Sequence, residues 1–175
     1  MDCAPSGNFE TLLSRIQSPA LLVVAARWNR ARGKKRMPSW TDLSLFGPLP
    51  DPERMWAFAY DLKTGDLTGL LAGRRYGKWV DKNFYGGHLK DIHLPANYEE
   101  AQRLLTKVIT APLACRTSGR LFTVDDFTVT GERIGLPVAE DGRTGDAILG
   151  ASDYAPPPLL GTPKLIHENV EWYRI

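Results

Sequence analysis

The most constraining stretch of the sequence is residues 127–139, FTVTGERIGLPVA, a long run of mostly β-branched and apolar residues. The turn sequence EDGRTG follows at residues 140–145, and a second apolar run, DAILGAS, occupies residues 146–152. Two such runs joined by a Gly-containing turn are typical of a β-hairpin. About thirteen extended residues span roughly 40 Å, the width of a small domain. The sequence therefore predicts that this strand is the backbone of an antiparallel sheet.

The apolar residues of this stretch follow two different phases. The first half uses odd positions and the second half even positions, with Phe127 and Val129 followed by Ile134, Leu136 and Val138. A one-residue bulge at Gly131 would reconcile the halves. Alternatively, the strand passes from one packing environment into another.

Glu132 and Arg133 lie side by side in the same stretch. Adjacent residues of a strand point to opposite faces, so the two charges cannot form a simple mutual pair. Each is expected to meet a separate partner: a structural salt bridge, solvent or, if one side chain points into a cavity, a ligand.

The length of 175 residues suits one domain with an extension at each end. A hydrophobic content of 43% with 24% charged residues is ordinary for a soluble globular protein. No apolar run is long enough to span a membrane and no secretory signal pattern is present, so the predicted compartment is the cytoplasm. Cys3 and Cys115 form no C-x-x-C pattern and are expected to be unpaired thiols.

Four segments follow from the order of the patterns. They are a mobile N-terminal segment (residues 1–17, with a possible short helix at 9–16), an N-terminal helix and connector packed on the domain (18–53), the core (54–153) and a proline-rich C-terminal extension (154–175). Ser18 and Pro19 are suited to begin a helix that ends near Gly33. The extension either returns to the domain or packs on another chain.

The N-terminal helix carries the basic cluster RWNRARGKKR at residues 27–36. A solvated helix face explains it most simply, and contact with an acidic partner or with phosphate is the alternative. The candidate partner-binding residues are Arg27, Arg30 and Lys34. Because the net charge is only +2, bulk electrostatics does not favour nucleic acid as a partner.

The core begins with two predicted strands joined by the turn DLKTGD and ends with three predicted strands around the long hairpin. These strands are placed at residues 54–60, 67–74, 114–124, 127–139 and 146–152. Short helical turns are predicted at residues 78–84 and 89–94, followed by a long amphipathic helix at 97–111. Asn97 and Glu100 have the spacing of a capping box for this helix.

This order predicts an α+β fold in which a five-stranded antiparallel sheet carries helices on one face, beside an N-terminal helix and a C-terminal extension. It resembles the PAS fold, in which a helical side cups a small-molecule cavity against the sheet. Several motifs strengthen the resemblance to a bacterial family of single-domain PAS-like proteins of the PAS_5 type: W-x-x-x-R at 28–32, M-P-S-W-x-D at 37–42, L-A-G at 71–73, G-G-x-L-x-D-I at 86–92, E-R-x-x-L-P at 132–137, D-G at 141–142 and I-L-G at 148–150. The resemblance covers residues 27–151 and does not explain the C-terminal extension.

The resemblance implies a non-enzymatic sensory or regulatory module, and the aromatic residues near the middle of the chain suggest where its pocket lies. A pocket of this type is apolar with few polar groups. The candidate apolar lining is Phe58, Tyr76, Trp79, Phe84, Leu105, Ile109 and Phe122. The candidate polar groups are Arg74, His88 and Arg116. A core filled entirely by side chains is the alternative.

Motifs for other chemistries are missing from the sequence. It contains no Gly-rich phosphate loop, no H-E-x-x-H pattern and no nucleophile elbow. His88 and His93 are candidates for metal or haem ligands, but a surface or hydrogen-bonded position explains both histidines better. No cofactor, metal site or catalytic residue is assigned.

The sequence therefore favours a cytoplasmic PAS-like module that binds a small molecule, a signalling partner, another copy of itself, or a combination of these. A basic-helix protein that binds nucleic acid or an acidic partner is the alternative, and a small enzyme of unknown chemistry is the third. No membrane association is expected.

Overall fold

The computed structural model describes residues 4–77, 84–92, 95–155 and 163–175. In chain order the elements of this part are β1 (Gly7–Asn8), α1 (Phe9–Arg15), α2 (Pro19–Arg32), α3 (Trp40–Ser44), β2 (Met55–Tyr60), β3 (Leu67–Ala72), α4 (Arg74–Gly77), α5 (Leu89–Ile92), α6 (Pro95–Thr110), β4 (Leu113–Val124), β5 (Phe127–Val138), β6 (Ala147–Tyr154), β7 (Pro163–Leu165) and β8 (Asn169–Arg174). The predicted helical turns at 78–84 fall almost wholly outside the described residues. The α+β class is confirmed.

All the described strands belong to one mixed sheet. Their order is β1-β8-β4-β5-β6-β2-β3, with β7 also pairing with β4. The β1–β8 pair is parallel and the other described pairs are antiparallel. The five predicted strands lie side by side as β3-β2-β6-β5-β4, but the prediction of a five-stranded sheet is wrong. The C-terminal residues add β7 and β8, which lack the alternation that identifies a strand in sequence.

Helices cover both faces of the sheet. The core helices α5 and α6 pack on one face, as predicted, and the N-terminal helices, which the prediction assigned to neither face, cover the other. Helices α1 and α2 pack on the face that carries Ile134, Leu136 and Val138. Helix α6 packs on the opposite face, against a cluster that includes Cys115 and Ile148. Every residue from 134 to 138 is buried, as expected for a central strand with two covered faces.

The long strand β5 is regular at Gly131, which pairs with Gly119 in an unbroken register. The bulge predicted at Gly131 lies instead on the neighbouring strand β4, where Leu121 is inserted between Arg120 and Phe122. The change of apolar phase within β5 therefore reflects a change of packing environment. Val129 lies in a small cluster with Leu121, Phe122, Val124 and Tyr154, whereas the second half of β5 packs under α2.

Helix α2 begins where the sequence predicts. The Ser18 hydroxyl accepts a hydrogen bond from the Leu21 backbone N–H, and Pro19 occupies the first turn. Trp28 is fully buried, and its indole Nε1 donates to the Pro137 carbonyl at 2.8 Å. This bond joins two of the sequence motifs, W-x-x-x-R and E-R-x-x-L-P, and fixes α2 to the sheet.

The connector after α2 is also anchored. Ser39 and Asp42 form a reciprocal capping box at the start of α3, and Lys35 binds the Asp42 carboxylate at 2.7 Å. The Lys35 ammonium and the Ser39 backbone N–H hold the pKa of Asp42 below its usual value. The motif M-P-S-W-x-D therefore encodes a helix start, together with the buried Met37.

Helix α6 begins two residues earlier than predicted, at Pro95, which places Asn97 inside its first turn. The predicted capping role of Asn97 is wrong. Its side-chain amide donates to the Pro163 carbonyl at 2.7 Å and accepts from the Leu165 backbone N–H at 3.0 Å. Asn97 thus joins α6 to β7, a distant partner that a local spacing rule does not reveal.

Candidate ligand site

A row of three polar side chains crosses the centre of the sheet on the face that α6 covers. Thr117 of β4 lies directly opposite Arg133 of β5, and Arg133 lies directly opposite Ser152 of β6. Thr117 and Ser152 are each only 2% exposed, and Arg133 is half-buried. Three polar residues in register within a largely apolar layer form a specific arrangement that apolar packing alone does not require.

The Ser152 hydroxyl is the centre of this row. It accepts one hydrogen bond from the Arg133 Nε at 3.0 Å and a second from the Trp56 Nε1 at 3.0 Å. Trp56 reaches it because Gly150, one pleat along β6, has no side chain: a Cβ there would lie 2.1 Å from the indole ring. Gly150 leaves room for the Trp56 indole, which holds the Ser152 hydroxyl, and this hydroxyl in turn fixes the position of the Arg133 Nε.

Arg133 itself has no counter-ion within the described residues. Its hydrogen bond to Ser152 leaves the far end of the guanidinium, with its remaining N–H donors, without a carboxylate partner in that part of the chain. A half-buried cation loses hydration, and a neutral hydroxyl compensates for that loss less well than an anion does. The row therefore has an excess of positive charge and of hydrogen-bond donors.

His167, in the segment between β7 and β8, lies within electrostatic range of Arg133. Both ring nitrogens are buried, and neither has a hydrogen-bond partner among the described residues. Burial, assisted by the positive charges of Arg133 and Arg103 and opposed by Glu100, lowers the pKa of His167 to about 4. The imidazole is therefore neutral near pH 7, and it offers one donor and one acceptor.

Four of the predicted lining residues come together on this face of the sheet. Phe58, Phe84, Leu105 and Ile109 belong to one buried cluster, in which the Phe58 and Phe84 ring centroids are 5.0 Å apart. Trp79 and the Tyr76 side chain lie outside the described residues. Phe122 is in the neighbouring cluster, where its ring meets that of Tyr154 edge-on.

The predicted polar groups are not brought to this cluster. Arg74 is exposed and pairs with Glu53, and His88 is exposed beside the β3 edge. Arg116 points to the opposite face, where it binds the carboxylates of Glu132 and Glu171. It also lines an open cleft of about 480 Å³ on that side.

Sequence reasoning missed Thr117, Ser152 and His167 as members of a site. A hydroxyl residue inside an apolar strand is the only signal that the sequence offers for Thr117 and Ser152. Their alignment with Arg133 depends on the registers of two strand pairs, which become visible only in the folded sheet. The prediction that Glu132 and Arg133 point to opposite faces is confirmed.

Behind Arg133, on the other face, Glu132 holds the N-terminal helices to the sheet. Its carboxylate accepts hydrogen bonds from the Gln17 and Ser18 backbone N–H groups, the latter at 2.7 Å, and from the Arg116 Nε at 2.5 Å. Asp153, directly opposite Glu132, accepts from the Ser18 hydroxyl at 2.6 Å. Burial alone would raise the pKa of Asp153, but its bonds from Ser18 and Arg54 keep that pKa below the usual value.

The candidate partner-binding residues of α2 are partly engaged within the chain. Arg27 donates to the Leu43 and Gly47 carbonyls, and the Arg30 guanidinium lies over the Phe46 ring, 4.7 Å from its centroid. Lys34 is exposed. The arrangement leaves both the acidic-partner and the nucleic-acid predictions untested.

Two other features of the described residues bear on function. They contain no group of three or more His, Cys, Asp and Glu side chains placed to hold a metal ion. No helix in that part of the chain is both long and apolar enough to cross a membrane.

Comparison with known proteins gives little further information. No family model matches the chain, and no curated protein matches it. Two solved structures of VqmA are similar in part: one described as VqmA bound to DPO, and one of the Vibrio cholerae VqmA dimer in the absence of target DNA, a study of LuxR-type receptors. Each is 14% identical, with a TM-score of 0.45 over 67% of this chain. The matched regions cover 58% and 53% of the VqmA chains, so the likeness spans little more than half of those proteins and assigns neither fold nor function here.

Proposed function

We propose that this protein is a non-catalytic PAS-like regulatory module, and that its small-molecule ligand binds on the α6-covered face of the sheet at Arg133. The observation that carries the proposal is the row of Thr117, Arg133 and Ser152, in which a half-buried guanidinium is held in place but has no counter-ion in the described part of the chain. The imidazole of His167, which is within electrostatic range of Arg133 and has no hydrogen-bond partner among the described residues, supports the same interpretation.

The arrangement of elements agrees with this proposal. The five antiparallel strands β3, β2, β6, β5 and β4 lie side by side. Helices α5 and α6, which lie between β3 and β4 in the chain, pack on the face that carries Arg133. In a PAS-type module this is the side on which a ligand is enclosed. The aromatic cluster around Phe58 and Phe84 provides an apolar wall on the same face.

A change at this site can reach the other face of the sheet through neighbouring residues of the same two strands. Arg133 and Ser152 form one cross-strand pair, and the next pair along the same two strands is Glu132 and Asp153. The first pair is the proposed ligand site, and the second pair holds Ser18 at the start of α2. A ligand that shifts β5 relative to β6 would therefore change the fraction of molecules in which α1 and α2 are packed on the sheet. The output is a change in the surface that these helices present to a partner.

The test is a comparison of retained ligands by native mass spectrometry. Wild-type protein purified from bacterial cells is expected to carry an additional mass, or to gain thermal stability from members of a small-metabolite library. Arg133→Met is expected to lose both effects. Arg120→Met is the matched control, because Arg120 is also a sheet arginine but is exposed and paired with Glu168.

Two outcomes would contradict the proposal. One is a wild-type protein with no retained mass and no response to the library. The other is ligand retention that Arg133→Met leaves unchanged. Amide hydrogen exchange of residues 9–32, with and without the ligand, tests the output separately, since exchange there should change when the ligand binds.

A further inference from the structure

The polar row also indicates what kind of ligand it recognises. We infer that the ligand presents an anionic, carboxylate-like group to Arg133 and an apolar body to the aromatic residues beside it. This inference rests on the proposed function and deepens it, because it names the chemical class of the ligand. It depends on the balance of charges and donors around Arg133.

The charged groups near His167 leave one positive charge unbalanced. Arg103 is neutralised by Glu100, to which it donates at 2.7 Å within α6. Arg133 has no such partner among the described residues, and His167 is held neutral. Among the charged groups that act on His167, the charge of Arg133 is therefore the one left unbalanced, and a single anion would neutralise it.

The contrast with Arg116 shows what a buried arginine of this sheet requires. Arg116 lies on the neighbouring strand with its side chain 8% exposed, and it has two carboxylate partners, Glu132 and Glu171. Arg133 lies one pleat away on the other face, and within the described residues its one acceptor is the Ser152 hydroxyl. Because hydrogen bonds from a guanidinium to a carboxylate are stronger than those to a neutral hydroxyl, an anionic ligand would give Arg133 the kind of partner that Glu132 and Glu171 give Arg116.

The hydrogen-bonding groups around the guanidinium favour a small planar anion. The Ser152 oxygen already accepts two hydrogen bonds, so its remaining capacity is its own O–H donor. The neutral His167 ring adds one N–H donor and one acceptor nitrogen, whereas the guanidinium of Arg133 has donors alone. Together with the free end of Arg133, the site therefore offers mainly donors, which suit an acceptor such as a carboxylate.

The residues that flank Arg133 favour a ligand whose anionic group is attached to an apolar part. Gly135, the next residue of β5 on the same face, is lined by apolar side chains: a Cβ there would lie 3.2 Å from Ile148 and 3.7 Å from Val108. The Trp56 indole binds the same Ser152 hydroxyl as Arg133 and is 4% exposed. A ring or short hydrocarbon attached to the carboxylate would pack against this indole and the adjoining apolar cluster.

Benzoate and its neutral isostere benzamide provide a matched pair of probes. In ¹H–¹⁵N spectra of the full chain, benzoate is expected to shift the Arg133 Nε–H resonance in a saturable way. Benzamide is expected to bind at least about tenfold more weakly, since it lacks the charge that forms the guanidinium pair. Sodium chloride at matched ionic strength controls for screening.

Variants assign the effect to the site. Arg133→Met is expected to weaken benzoate binding at least about tenfold, whereas Arg120→Met should leave it unchanged. Ser152→Ala is expected to weaken it less, because Ser152 positions the guanidinium and does not supply the charge. Thermal unfolding of each variant shows whether it has kept its fold, and Arg133→Lys provides a second variant that retains the charge but loses the planar fork.

The outcomes separate the two proposals. If benzamide binds at Arg133 as tightly as benzoate, the anion inference fails while a ligand site at Arg133 stands. If neither probe moves the Arg133 resonance at about 10 mM, which corresponds to weaker than millimolar affinity, the anion inference fails. The proposed function is then decided by the mass-spectrometric comparison alone. Equal benzoate binding by wild type and Arg133→Met would also overturn the inference.

Discussion

Glu132 and Arg133 are neighbours in the chain whose surroundings differ completely. The Glu132 carboxylate is 6% exposed and accepts hydrogen bonds from two backbone N–H groups and from Arg116. Arg133 is half-buried, with one neutral acceptor. A strand places successive side chains on opposite faces, so one residue stabilises the N-terminal helices while the next faces the proposed ligand site.

The sequence was sufficient to predict this opposition, because it follows from strand geometry alone. It was not sufficient to identify the partners. Gln17 and Ser18 are more than 100 residues away from Glu132 in the chain. No local pattern encodes a contact over that distance, and the polar groups that the sequence predicts for the pocket, Arg74, His88 and Arg116, lie away from the row of Thr117, Arg133 and Ser152.

The burial of His167 predicts a pH dependence of stability. Its pKa is lowered from 6.5 to about 4 in the folded protein, mainly by burial. Between these two values the unfolded chain binds a proton that the folded chain does not bind. The free energy of unfolding should therefore fall as the pH falls from about 6.5 to about 4, by on the order of 2 kcal/mol.

Urea unfolding at several pH values checks this prediction. His167→Phe is expected to remove the decrease between pH 6.5 and 4.5, and His88→Gln, at an exposed position, should leave it in place. A His167→Phe variant with the wild-type dependence in that range would show that another group is responsible. Below pH 4.5 the carboxylates with lowered pKa values, such as Asp153, add their own loss of stability.

At the level of elements, the strands and helices with strong local signals were predicted well. Helix α2 begins at its serine and proline, and the hairpin of β2 and β3 turns with Gly65 at a φ of 75°. Strand β5 ends within one residue of its predicted end. These signals are local because capping, turn conformation and alternation each act over a few residues.

The errors at this level arose where a distant partner determines the structure. The bulge lies at Leu121 of β4 because bulges depend on the register of two strands. The amide of Asn97 holds β7 to α6 because β7 lies beside it in the folded chain. A short-range spacing rule cannot distinguish that role from a helix cap.

Asn97→Ala tests the role of this residue. The variant leaves the Pro163 carbonyl and the Leu165 N–H without a side-chain partner at a site where Asn97 is 3% exposed. We expect a loss of about 1–2 kcal/mol in the free energy of unfolding and faster amide exchange at residues 163–165. Glu99→Ala, on the exposed side of the same helix, is the control and should change stability by less than about 0.5 kcal/mol. Unchanged exchange at 163–165 in Asn97→Ala would contradict the assigned role.

For the whole molecule, the C-terminal residues are part of the central structure. Strand β8 covers the outer edge of β4 and pairs with β1, so both ends of the chain meet there. Tyr173 is fully buried under the N-terminal helices, and Trp172, on the opposite face, is 5% exposed and lies under Lys107 of α6. The extension therefore contributes to both faces of the sheet.

Deletion of residues 163–175 is expected to abolish cooperative unfolding. It removes two large buried aromatic residues, each of which is worth about 3–5 kcal/mol in a core, and it exposes the long edge of β4 to self-association. The sum is comparable to the whole stability of an ordinary domain. Circular dichroism on heating and size-exclusion chromatography provide the measurement. Lys164→Ala, at an exposed position in the same extension, should unfold as the wild type does, and a deletion variant that does the same would show that the extension is dispensable.

The sequence by itself determined the α+β class, the long β5–β6 hairpin, the N-terminal helix and the opposite orientation of Glu132 and Arg133. These features depend on interactions within a few residues, such as side-chain alternation, turn conformation and helix capping. Only the tertiary structure decided that both sheet faces are covered, that the C-terminal residues become strands, and that Thr117, Arg133 and Ser152 form one row. Strand order and register result from the joint packing of distant segments, and a site that spans three strands exists only once that packing is complete.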